Sequence, residues 1–155
     1  SQILFLNKFF QIQNALIFCK KELDNWFELV KKEGRQRVAV IHNNLSIDHF
    51  IKSNQDYLIS WDNYKIDTPV LDIVNFYKNN YYDIDFKSVL DTYLDRFPLN
   101  ESEQKLFFVL INMPPKIELN SNEFANTKNI REKLDYIFKT EKLTRPYYTT
   151  QEIKE

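Results

Sequence analysis

Apolar residues recur at three- and four-residue steps through the opening stretch of the chain: Phe5, Phe9, Ile12, Leu16, Cys19, Leu23, Trp26 and Val30. That spacing predicts one long helix over residues 3–33 with a single buried stripe. Lys31 and Lys32 suit the negative end of its dipole, and Gly34 suits its cap. The apolar run 38–41 predicts a short buried strand that delivers the chain to His42. The segment "HFIKSNQDYLISW" alternates on either side of turn residues 53–56 and predicts a hairpin. Thr68 and Pro69 mark the start of a helix to about Lys78. Phe86, Val89, Leu90, Tyr93, Leu94 and Phe97 share one helical face, closed by Pro98. Asn100 and Glu103 have the spacing of a capping box for a further helix that ends at Pro114 and Pro115. A last helix is predicted over 123–143, and the tail "TRPYYTTQEIKE" reads as an ordered and then frayed terminus. The predicted fold is mostly α with a small β hairpin (α+β). No repeat, low-complexity segment or linker divides it, so residues 1–155 are predicted to form a single domain.

Composition narrows the classes. A chain of 155 residues with 43% hydrophobic and 28% charged positions belongs with globular proteins rather than disordered or membrane ones. Lys and Arg total 21 against 22 for Asp and Glu, so no net field draws in nucleic acid or an anionic membrane. Lys8, Gln11, Gln13 and Asn14 interrupt the apolar opening well short of the roughly 18 residues a membrane span needs. The chain starts without Met inside a helical pattern, which reads as a fragment or a processed form. Cys19 is alone, so the expectation is a buried thiol in a reducing compartment. Gly34 is the only glycine, and one glycine cannot build a phosphate-cradling loop. The 13 Phe and 9 Tyr fall mostly on helical core positions. Tyr77, Tyr81 and Tyr82 are the clustered candidates for an aromatic ligand pocket.

The stretch from His42 to Val74 carries the candidate chemistry. "HNNLSIDH", "ISWD" and "DTPVLDIV" follow one another in order and resemble three motifs of the aminoglycoside and choline phosphotransferase superfamily: H-G-D-L-x-x-x-N, a strand ending in D-W-E or D-F-E, and D-P-x-x-D-L-A. The resemblance implies the C-terminal lobe of a kinase-like phosphotransferase fold and covers most of the chain. Nothing in the sequence corresponds to the smaller N-terminal lobe that holds the ATP phosphates in that family. The pattern is also similar to spore-coat-associated bacterial members, which implies a cytoplasmic or spore-coat location.

On this resemblance Asn44 occupies the position of the catalytic Asp, and an amide is not a useful base at neutral pH. His49 occupies the position of the metal-holding Asn, and Ser60 that of the metal-binding Asp. Mg²⁺ is a hard ion that takes carboxylates and phosphate oxygens, and neither residue supplies charge. His42 and Asp72 match the positions that orient the loop and brace the following helix. The leading expectation is a catalytically degenerate lobe that acts by binding or assembly, without a cofactor. Its partners would be the N-terminal lobe of the same protein and a further protein. The second reading is an active ATP- and Mg²⁺-dependent phosphotransferase acting on an alcohol, with Asp48 or Asp62 replacing the lost metal ligands. The third is a helical interaction domain. A zinc site at His42, Asp48 and His49 is disfavoured, because the chain has only two histidines and no cysteine near them.

Overall fold

The computed structural model describes residues 2–149; the side chains of Gln2, Leu4, Phe5, Asn7 and Thr149 and the tail after Thr149 lie outside the described residues. Helices α1 (Gln2–Glu33), α2 (Val70–Asn80), α3 (Phe86–Arg96), α4 (Glu101–Asn112) and α5 (Glu123–Thr149) make up most of the chain. Four short strands, β1 (Ala39–Ile41), β2 (Phe50–Ile51), β3 (Tyr57–Leu58) and β4 (Lys65–Asp67), lie between α1 and α2. The fold is therefore mostly helical with a small antiparallel β component. Among the described residues no helix is long and apolar enough to cross a membrane.

The strands form two separate two-stranded sheets. The predicted hairpin is β2–β3, with Phe50 opposite Leu58 and Ile51 opposite Tyr57. The second sheet pairs β1 with β4, Val40 facing Ile66. The prediction of a buried strand at 38–41 needs correcting, since only Ile41 is buried and Val40 is 61% exposed. A two-stranded ribbon has one face turned to the protein and one left open, and strand alternation sends Ile41 to the first and Val40 to the second.

Helix α1 ends as its sequence requires: Gly34 takes φ +65°, and its N–H reaches the Val30 carbonyl at 3.0 Å. Its buried stripe is rotated from the predicted one. Cys19 and Glu22 are buried, with Ile12, Ala15, Phe18 and Trp26 half-buried, whereas Leu16 and Leu23 are exposed. Glu22 can lie inward because the Tyr148 hydroxyl donates to its carboxylate at 3.0 Å. The Cys19 thiol is buried as expected and donates to the Val109 carbonyl. The indole N–H of Trp26 is the one buried side-chain polar atom among the described residues without a hydrogen bond.

The capping box is present: the Glu103 N–H donates to Asn100 Oδ1 at 2.8 Å, and the Asn100 N–H donates to Glu103 Oε2 at 3.0 Å. Buried Glu103 also holds the Arg37 guanidinium by two bonds of 2.9 and 2.8 Å. Helix α5 runs past its predicted end at Leu143 and through Pro146 to Thr149. Aromatic packing holds this last turn, with Tyr147 and Tyr148 against Phe108 and Tyr148 edge-on to Phe18.

The chain divides into two compact units, one from Asp24–Phe107 and one from the residues up to Leu23 together with those from Phe108 onward. The first is centred on Val70, Tyr77, Phe86, Leu90 and Phe107, and the second on Cys19, Phe108, Val109, Ile111, Ile130 and Leu134.

Candidate functional site: the loop around His42

The loop that follows β1 is held from below by α2. Both oxygens of Asp72 accept backbone N–H groups, Oδ2 from His42 and Oδ1 from Asn43, each at 2.8 Å. Asp72 lies in the first turn of α2, where the helix dipole favours a carboxylate. The other end of α2 holds the rest of the loop. Buried Asn80 accepts from the Ile47 N–H through Oδ1 at 3.2 Å, and Asn79 donates to the Leu45 carbonyl at 2.9 Å.

His42 is fully buried at the centre. Its Nδ1 accepts the Asn44 N–H at 3.3 Å, so the ring proton lies on Nε2, which donates to the Ile59 carbonyl at 2.7 Å. Both nitrogens are used by the fold in this neutral form, which leaves His42 neither a base nor a metal ligand. The imidazole ring packs on Trp61 at 4.9 Å and stacks on His49 at 5.3 Å between centroids. His49 donates through Nδ1 to the Asn44 carbonyl at 2.9 Å.

His42 thus gathers the three sequence-predicted stretches. Asn44 and His49 touch it directly, and Ile59 immediately precedes Ser60. Asn44, Asp48 and Asp62 are exposed. Asp48 and Asp62 each belong to a short helical turn, 47–49 and 61–63. Among the described residues two other than glycine adopt left-handed backbone, Asn43 at φ 63° and Ser60 at φ 66°. Asn tolerates this region through its short polar side chain, but Ser favours it less, and such strain is concentrated at functional positions.

The donor set Asn44, His49 and Ser60 does not fit a Mg²⁺–nucleotide complex, because none of the three carries negative charge. Among the described residues no three His, Cys, Asp or Glu side chains come together as a metal site. Tyr77 is a core residue, 2% exposed and packed on Phe86 at 4.8 Å, so of the tyrosine cluster only Tyr81 and Tyr82 reach the surface. The residues that sequence reasoning missed here are Asn79 and Asn80. Their only signal was a pair of asparagines at a helix end, which reads as a stop.

No protein-family model, no curated protein and no solved structure matches this chain.

Proposed function

We propose that the chain is a catalytically degenerate lobe of the aminoglycoside and choline phosphotransferase type, acting by binding or assembly rather than by phosphoryl transfer. The observation that carries this reading is the pair of 2.8 Å bonds from the His42 and Asn43 N–H groups to Asp72, together with the bond from His42 to Ile59. These are the orienting and bracing roles that the resemblance assigns to His42 and Asp72, and they tie the three motif segments together at His42, through its backbone N–H and its ring. Asn44, His49 and Ser60 then stand where phosphoryl transfer would need a base and metal ligands. The backbone at Ser60 supports the same reading. Its left-handed conformation suits Asp or Asn better than Ser, so a shape that accommodates a carboxylate is retained without the carboxylate. On this reading the partners are an N-terminal lobe of the same protein and a further protein that the lobe helps to assemble.

Calorimetry with ATP and Mg²⁺ tests the proposal. The wild-type chain is expected to show no metal-dependent binding. The triple variant Asn44→Asp, His49→Asn, Ser60→Asp is expected to be less stable without metal, because the new carboxylates repel each other, and to recover stability with Mg²⁺ and ATP. At a ligand concentration 100 times Kd the recovery is about 2.7 kcal/mol. Single exchanges should recover far less, because base and metal ligands act as a unit. Micromolar, Mg²⁺-dependent ATP binding by wild type would instead favour an active enzyme with Asp48 or Asp62 on the metal. A triple variant indifferent to Mg²⁺ would count against the assignment of positions.

A further inference from the structure

The sheet that delivers His42 to its loop has two strands, so one edge of β1 is covered by β4 and the other is open. Among the described residues, 38–41 make no hydrogen bond outside that pairing. In an antiparallel pair alternate residues turn N–H and C=O away from the partner, so the open edge of β1 offers these groups to another strand. Val38, Ala39 and Val40 are exposed, which leaves the edge accessible.

What distinguishes this edge is a cavity of about 210 Å³ beside it. Ala39, Val40 and Ile41 line the cavity and no residue of β4 does, which puts it under the flank of β1 turned away from β4. Ile73 and Phe76 of α2 and Leu90 of α3 supply much of the remaining wall. The volume is below that of small-molecule sites but has room for one large aliphatic side chain. A strand laid along the open edge would alternate its side chains across the sheet as β1 does. Those on the side of Ile41 enter the cavity, and those on the side of Val40 join exposed Val40 and Ile66 on the open face.

Charge gives the edge a direction. Asp72 is the one charged residue of the cavity lining and lies toward the Ile41 end, where it holds the His42 and Asn43 N–H groups. Ahead of β1, Lys31 pairs with Glu28 and Arg37 with Glu103, while Lys32 and Arg35 stand against Glu33, so one positive charge is left over. A strand added antiparallel, the more stable arrangement, brings its C-terminal end to the positive side and its N-terminal end to Asp72.

We propose that the open edge of β1 binds an extended peptide segment of another protein, antiparallel to β1, with aliphatic side chains on both faces and a carboxylate toward its C-terminal end. Its main chain pairs with β1, and one inward side chain fills the cavity and sets the register. Neither the edge nor the cavity involves Asn44, His49 or Ser60, so this binding is independent of the phosphotransferase reading of the loop.

Titration of the full chain by calorimetry and NMR with the capped peptide Thr-Val-Leu-Val-Thr-Glu-Glu is expected to give a Kd of about 0.1 mM and to shift the amide signals of residues 38–41. N-methylation of every second residue, made in both registers, separates strand pairing from apolar adhesion. One register should bind about tenfold or more weakly and the other within about threefold of the parent, because only alternate N–H groups face β1. Replacing the leucine by alanine should weaken binding about tenfold. Exchanging the two glutamates for lysines, or Arg35→Glu with the parent peptide, should weaken it about threefold at low salt. Val89→Trp at the partly exposed rim fills the cavity and should weaken binding about tenfold. Melting curves establish that each variant is folded; should Val89→Trp fail to fold, the peptide series decides. Equal binding of the two N-methylated registers, undiminished binding of the alanine peptide or by folded Val89→Trp, or no binding at about 2 mM would overturn the proposal. So would sedimentation showing a dimer of the chain alone that binds no peptide, since a second copy would then occupy the edge.

Discussion

Removing the carboxylate of Asp72 should release the loop around His42. Asp72→Ala leaves two backbone N–H groups without their acceptor, one of them on fully buried His42. A hydrogen bond to a charged group is worth about 1.5–3 kcal/mol, and water reaches half-buried Asp72, so the lower end applies to each bond. The expected loss is about 3 kcal/mol for Ala. Asp72→Asn keeps one acceptor oxygen and turns an NH₂ toward the other N–H, for an expected loss of about 2 kcal/mol. Urea unfolding measures the total. Amide hydrogen exchange locates it, because the His42 and Asn43 protons should be protected in wild type and exchange about a hundredfold faster in Asp72→Ala. Trp61 packs on His42 and supplies a fluorescence reporter of the same event. The reasoning fails if either substitution costs less than about 0.5 kcal/mol, or if the two amides of wild type exchange as fast as those of the exposed turn 53–56.

Two further outcomes follow from buried carboxylates. Arg37→Met leaves Glu103, 3% exposed, with its capping bonds but without its counter-charge, and should cost about 2 kcal/mol in urea unfolding; Arg37 itself is half exposed, which keeps the loss below that of a fully buried pair. A loss under about 0.5 kcal/mol would show the pair to be an ordinary surface contact. Tyr148 sets an alkaline limit: burial first, and then Glu22, raise its phenol above the ordinary 10.0, so the folded chain keeps a proton that the unfolded chain gives up. This stability is fully present below pH 10 and declines above it by about 1.4 kcal/mol per pH unit. Tyr148→Phe should be less stable than wild type near neutrality, and the difference should shrink as pH rises past about 10; parallel curves would refute the assignment.

The helices were legible because each carries its own punctuation. Gly34 after α1, the Asn100–Glu103 box before α4 and Thr68–Pro69 before α2 act within a few residues, and all three work as their spacing predicts. What was not legible depended on residues far away in the chain. Helix α1 is apolar on more than one face, so its periodicity is compatible with a stripe through Leu16 and Leu23 as well as with the observed one through Cys19 and Glu22. The choice is made by Tyr148, 126 residues away, whose hydroxyl makes an inward Glu22 tolerable. The same contact accounts for the error at the end of α5. Proline inside a helix costs about 3 kcal/mol in isolation. The turn beyond Pro146 survives because Tyr147 and Tyr148 pack on Phe108 and Phe18.

At the candidate site the residue types were legible and the reason for their arrangement was not. His42, Asn44, His49 and Ser60 stand out by motif order alone, and in the structure Asn44, His49 and Ile59, the residue before Ser60, meet the His42 imidazole. Strand β4 was too short for any periodicity, although it pairs with β1 and closes the sheet that delivers His42. Asn79 and Asn80 lie just past the predicted helix end at about Lys78, yet they hold residues 45–47 through side-chain bonds that span more than 30 positions. A loop tied at both ends to one helix does not need a metal or a nucleotide to keep its shape. Asp72, Asn79 and Asn80 supply from within the protein the order that a bound ligand would otherwise impose. The uncharged side chains at Asn44 and Ser60 therefore do not prevent the loop from keeping its shape, and this separation of scaffold from chemistry is what the proposed degenerate lobe would require.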